Sequence, residues 1–253
     1  MDERSLIKQS RKTLKLLLGR LSKNENHPIF ITSFNNPTFV KLIVNQITSK
    51  KLGPIVILDS NSTYPEMIRD LNEYERNGIG VLRFPENVGP RFILQTSMIR
   101  TLPRKFILTD PDLELNQDFE ANHILDFEKI SKMKKIGKVG LCLDLRDAND
   151  FKSVKNVHGK SIYEWESQFW KQRMDIEWCE SYFANLDTTF AFYDKKYFRT
   201  KHFYKAIRVN SINGKVISAR HLPWYTKTLV PNEEIEFYNK VTSTEKISWW
   251  GIS

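Results

Sequence analysis

The chain has 253 residues, 40% of them hydrophobic, enough for one substantial domain with its own core. Lys and Arg number 39 against 30 Asp and Glu, and a formal charge of +9 favours anionic partners such as nucleotides, phosphate-bearing carriers or acidic membrane surfaces. Two distant cysteines, Cys142 and Cys179, argue against a disulfide framework, and no apolar run nears the roughly 20 residues of a membrane span. A reducing, cytosolic compartment is the expectation, because the charged start lacks the pattern of a signal peptide.

Residues 5–22, SLIKQSRKTLKLLLGRLS, place Leu6, Ile7, Ser10, Leu14, Leu17, Leu18 and Leu21 at helical spacing, with Lys and Arg filling most other positions. This predicts a basic amphipathic helix. It either docks on the domain or on a partner subunit, or makes peripheral contact with the inner face of a membrane. From Pro28 onward strands and helices alternate. PIFITSF reads as a strand, NPTFVKLIVNQITSKK as a helix opening on Asn36 and Pro37, and GPIVILDSNST as a second strand and loop. YPEMIRDLNEYERNG is a second helix, IGVLRF a third strand, GPRFILQTSMIRTL a third helix, KFILTD a fourth strand and KVGLCLDL a fifth. Short, continuously apolar strands separated by such helices predict an α/β fold with a mostly parallel, doubly wound sheet. Ligands of such sheets sit at the carboxyl ends of the strands, where Ser33, Asp59, Asn87 and Asp110 fall. Beyond about residue 150 aromatic residues crowd the chain without a flexible linker, which predicts a cover on the same domain. The expected division is 1–26 for the helix and connector and 27–253 for one domain, with halves at 27–116 and 117–253.

Asp110 and Asp112 stand one residue apart at the end of the fourth strand, and neighbouring carboxylates repel unless a cation or proton offsets them. A polar turn and a site for a hard divalent cation are the two readings. Asp59 caps the next segment or accepts from a base or ribose. In FPENVGPRF, Gly89 permits close backbone approach and Arg91 reaches a phosphate or sits in solvent.

Taken in order, IFITSFNNPTFVKLIVNQI, IVILDSNST, ENVGPRFIL and KFILTDPDLEL resemble the nucleotide-binding half of a family 2 glycosyltransferase of the GT-A fold, over about residues 28–116. The resemblance implies Ser33, Asn35, Asp59, Asn87, Arg91 and Asp110 around the nucleotide, and Mn²⁺ or Mg²⁺ held by Asp110, Asp112 and His221 of ARHLPWY. It also implies an acceptor-side base. NLDTTFAFYDK holds Asp187 there but lacks the Glu-Asp pair of related enzymes, so Glu177 and Glu180 stand as alternatives. The implied activity is metal-dependent, inverting transfer from a nucleotide sugar, a UDP-sugar, to a glycan, lipid-linked or other hydroxyl acceptor, as in polysaccharide assembly.

A pyrophosphorylase-type nucleotidyltransferase would need a Gly-rich, Arg-containing loop after the first strand, and TSFNNPTF has none. A nucleic-acid binder is disfavoured because Lys and Arg are spread along the whole chain with no compact RNA-binding signature. A non-catalytic nucleotide- or glycan-binding module of the same fold is the remaining alternative, and the oligomeric state is open. The closing Trp249 and Trp250 read as core residues.

Overall fold

The computed structural model describes residues 2–21, 27–156, 158–187, 189–202 and 204–242. Trp249 and Trp250 lie outside the described residues. Helix α1 (Glu3–Arg20) precedes β1 (Ile29–Ser33), α2 (Pro37–Ser49), β2 (Ile55–Asp59), α3 (Pro65–Arg76), β3 (Gly80–Arg83), the single turn α4 (Phe92–Gln95) and β4 (Lys105–Thr109). Next come β5 (Leu113–Leu115), α5 (Ala121–Lys134), β6 (Lys138–Leu141) and α6 (Ile162–Ser167). The remainder holds β7 (Cys179–Asn185), β8 (Ala191–Asp194), β9 (Lys205–Ile212), β10 (Lys215–Val216), β11 (Ala219–His221) and α7 (Asn232–Val241).

One sheet runs in the order β10-β9-β6-β8-β4-β1-β2-β3, with β7 also paired to β9. Strands β3, β2, β1 and β4 are parallel neighbours, as are β6 and β9. The fold is therefore α/β with a mostly parallel central sheet. It departs from a uniformly parallel sheet at β8, which lies antiparallel between β4 and β6, and at the far edge, where β7 and β10 pair antiparallel with β9. Strand β8 ties residues after 116 into the same sheet as those before it.

The apolar strands dictate two covered faces. In β1, Ile29 and Ile31 pack with Ile57 and Ile107, while Phe30 packs with Val56, Leu58, Phe106 and Leu108 on the other side. Successive side chains of a strand point to opposite faces, so a strand apolar at every position needs cover on both. Helices α2, α3 and α5 cover the first face through Val40, Ile43, Met67, Leu71, Ile124 and Phe127.

Helix α1 covers part of the second face, where Leu6 and Leu14 are 1% and 0% exposed. Its Arg11 Nε also donates to Thr101 Oγ1 at 2.9 Å. An interfacial helix lays its apolar stripe into lipid. Here that stripe is covered by the sheet, leaving residues such as Lys8, Lys12 and Lys15 exposed. None of the described helices is long and apolar enough to cross a membrane. Leu14→Ala should accordingly destabilise the whole domain by about 2–5 kcal/mol, the usual cost of emptying a leucine site in a core. Urea unfolding of both proteins checks this, and an unchanged midpoint would mean that α1 contributes nothing to the core.

The helix expected over 89–102 is not continuous. After α4, Thr96 is extended (φ −108°, ψ 177°) and a 3₁₀ turn spans Ser97–Arg100. The Thr96 hydroxyl donates to the Phe92 carbonyl at 2.8 Å and accepts from the Met98 N–H at 3.3 Å. A threonine side chain that satisfies nearby backbone groups competes with helix propagation.

Candidate active site

A cleft of about 960 Å³ opens where β1, β2 and β4 end, as a parallel sheet predicts. Ser33, Asn87, Arg91, Asp110, Asp112 and His221 line it, and so does Asp187 from the second half of the chain.

The loop after β1 is built by Asn35, which adopts φ 50°, a left-handed conformation that asparagine tolerates better than most residues. Asn35 is fully buried, and its side-chain carbonyl accepts from the Thr63 and Tyr64 N–H groups at 2.7 and 2.8 Å. It therefore joins the β1 loop to the start of α3 and is not among the residues lining the cleft. Asp59 lies beneath the surface in the same way. It accepts from Ser33 Oγ at 3.2 Å and from the Ser62 N–H at 3.0 Å. Burial raises its pKa above the usual carboxylate value, against those hydrogen bonds. Asn87 accepts from the Gly89 N–H at 3.1 Å and shapes the next loop. Gly89 has φ 74°, and a Cβ there would meet nothing within 4 Å. Its need is for the left-handed backbone and not for close approach.

On the opposite half, Asp187 meets Arg91. Arg91 Nε donates to Asp187 Oδ1 at 2.9 Å and its Nη2 to Oδ2, a bidentate pair with both side chains partly exposed. The hydrogen bond to Asp187 raises the Arg91 pKa further. Beneath that loop lies Lys138, fully buried on β6, whose ammonium donates to the carbonyls of Leu186 at 2.6 Å and Asp187 at 2.5 Å. Burial pushes its pKa down to about 7. Of the alternative bases, Glu177 is exposed, and Glu180 accepts from Tyr182 and Asn210 at 2.6 and 2.8 Å; neither lines the cleft.

The carboxylate pair that ends β4 is split. Asp110 accepts from Thr32 Oγ1 at 2.8 Å. Asp112 turns instead toward His221, because β5 and β11 pair antiparallel with Leu113 opposite His221. His221 Nε2 stands 3.3 Å from Asp112 Oδ2. Burial alone would lower the histidine pKa, but the charge and hydrogen bond of Asp112 raise it above the ordinary value. Asp112 Oδ1 and His221 Nδ1 are buried without hydrogen-bond partners. Buried polar atoms rarely go unpaired, and an unpaired carboxylate oxygen is the kind of ligand that a hard divalent cation takes. Among the described residues, no three His, Cys, Asp or Glu side chains already converge as a metal site, since Asp110 faces Thr32.

Several cleft residues were missed by sequence reasoning. Glu166 of α6 and Arg208 of β9 form a buried ion pair, and Trp165, Phe169, Tyr204 and Trp224 add aromatic surface. The only signal was the crowding of aromatics after residue 150, which does not separate cleft from core.

No protein-family model and no curated protein matches the chain. Among solved structures it is similar to the mannosyltransferase PcManGT from Pyrobaculum calidifontis in complex with GDP-Man and Mn²⁺, with 12% identity and a TM-score of 0.46, over 93% of this chain and 68% of that one. It is similar also to S. aureus TarS, with 12% identity and a TM-score of 0.46, over 85% of this chain and 64% of that one. A TarS structure with UDP gives 12% identity and a TM-score of 0.43, over 85% and 63%. At this level of likeness the residues of the cleft carry the functional reading.

Proposed function

We propose that this chain is a glycosyltransferase that moves a sugar from a UDP-sugar to a hydroxyl acceptor and inverts the anomeric carbon. The observation that supports the reading is that one cleft is lined both by the strand-end residues Ser33, Asp110 and Asp112 and by Asp187 and His221 of the second half. Inversion and the choice of uridine come from the sequence resemblance.

In this reading Ser33 and Asn87 contact the nucleoside, within loops braced by Asn35 and Asp59. Arg91, whose Nε and Nη2 are engaged by Asp187, binds the diphosphate through its charge and its remaining N–H donors. Asp112 and His221, with Asp110 beside them, hold a divalent cation, Mn²⁺ or Mg²⁺, which when bound supplies Lewis-acid neutralisation of the leaving diphosphate. Asp187 accepts the proton of the acceptor hydroxyl as its oxygen bonds to the anomeric carbon and the bond to the diphosphate oxygen breaks.

Calorimetric titration of UDP with and without manganese tests the reading. The parent should bind UDP in a metal-dependent way. His221→Ala should weaken metal and UDP binding together by at least about tenfold, about 1.4 kcal/mol. Metal-independent UDP binding would contradict the proposed ligand set, and no UDP binding would assign the cleft to another ligand.

A further inference from the structure

Glu166 and Arg208 form an ion pair in the cleft that the chemistry above leaves unused. Arg208 is 2% exposed and Glu166 3%, and Arg208 Nη2 bonds Glu166 Oε1. Stability alone is a weak reason for such a pair, since desolvating both charges offsets much of their attraction. The Arg208 guanidinium stands 5.0 Å from the centroid of the Phe169 ring, and Trp165 meets Phe169 edge to face at 6.0 Å. Trp224 meets the His221 ring at 4.9 Å on the metal-ligand side.

Three polar atoms on residues that line the same cleft are buried and unpartnered. They are Arg208 Nε, Trp224 Nε1 and Thr189 Oγ1, each on a residue lining the cleft and at least nine-tenths buried. Native proteins pair nearly all such atoms, so unpaired donors grouped in a cleft point to a polar ligand. The chemistry around them is mixed: aromatic surface, a carboxylate, and N–H and O–H groups. A pyranose ring has that same mixture, with apolar C–H faces that pack on aromatic rings and hydroxyls at its edge that exchange hydrogen bonds with charged groups. A nucleobase would also stack, but the position disfavours it. Trp224, which lines the same cleft as Glu166, meets the His221 ring at 4.9 Å, so the pocket adjoins the proposed diphosphate site. The group attached to the outer phosphate of a nucleotide sugar is the sugar itself.

We infer that Glu166, Arg208 and Trp224, flanked by Trp165 and Phe169, form the pocket for the sugar being transferred and select which nucleotide sugar is accepted. The inference rests on the reading of the cleft as a UDP-sugar site. Calorimetry in manganese would compare UDP with a panel of UDP-hexoses, UDP-N-acetylhexosamines and UDP-glucuronate. The parent should bind at least one of these about tenfold tighter than UDP. Glu166→Gln, which preserves shape beside Arg208, and Trp165→Ala, at a partly buried position outside the hydrophobic core clusters, should each bring that sugar to the affinity of UDP. Affinity for UDP itself and the melting temperature of Trp165→Ala should stay at parental values. A parent that binds UDP but prefers no sugar, or variants that keep the full preference, would overturn the pocket and leave the UDP site standing. A parent that binds no UDP overturns both.

Discussion

Asp112→Asn should abolish manganese-dependent UDP binding, with a loss of at least about 100-fold, or about 2.7 kcal/mol. The carboxylate is 8% exposed, its Oδ1 has no hydrogen-bond partner, and its Oδ2 faces His221. Asparagine matches it in shape but lacks the charge that a hard cation requires. Asparagine still offers an oxygen to His221, so the variant should stay folded. Calorimetry and thermal melting on one preparation separate lost ligation from lost fold. Metal-dependent UDP binding at parental strength would remove the central claim about this cleft.

Asp187→Asn should lower turnover by roughly 10²- to 10⁴-fold, the usual contribution of a general base. Donor and metal binding should change little, because Asp112 and His221 are untouched and asparagine can still accept one hydrogen bond from Arg91. The readout is a transfer assay once an acceptor is in hand, beside a UDP titration. Full turnover would place the base elsewhere, and Glu166 would be the next carboxylate to replace, since Glu177 and Glu180 do not line the cleft. A parent that binds UDP with manganese yet transfers to no acceptor would favour the non-catalytic module.

Legibility in the sequence followed the range of the interactions involved. The strands from Ile29 to Thr109 were readable because an unbroken apolar run needs cover on both faces, whatever lies elsewhere in the chain. Pro37 marked a helix start for an equally local reason. The antiparallel β8 was not readable, since Ala191 and Phe192 would be as apolar in either direction. At Thr96 a single hydroxyl overrode a helical pattern of the right period. Asn35 and Asp59 were picked out as polar residues at strand ends, but polarity does not say whether a side chain faces a ligand or braces a loop. The Arg91 pair with Asp187 and the Glu166 pair with Arg208 each join residues far apart in sequence, and no local spacing announces them.

The short ribbon of β5 and β11 holds Asp112 and His221 through backbone pairing, with Leu115 opposite Ala219 and Leu113 opposite His221. Folding has thereby already met the entropy of gathering two groups from distant parts of the chain, and a cation bound as proposed would meet them preorganised. The arrangement is also digital in character. Side chains alternate across a strand, so a slip of one residue would turn His221 to the other face of the ribbon, with no intermediate setting. The geometry beside Asp112 is thus set by apolar residues that do not line the cleft, and Leu113, Leu115 and Ala219 are as much a part of it as the histidine.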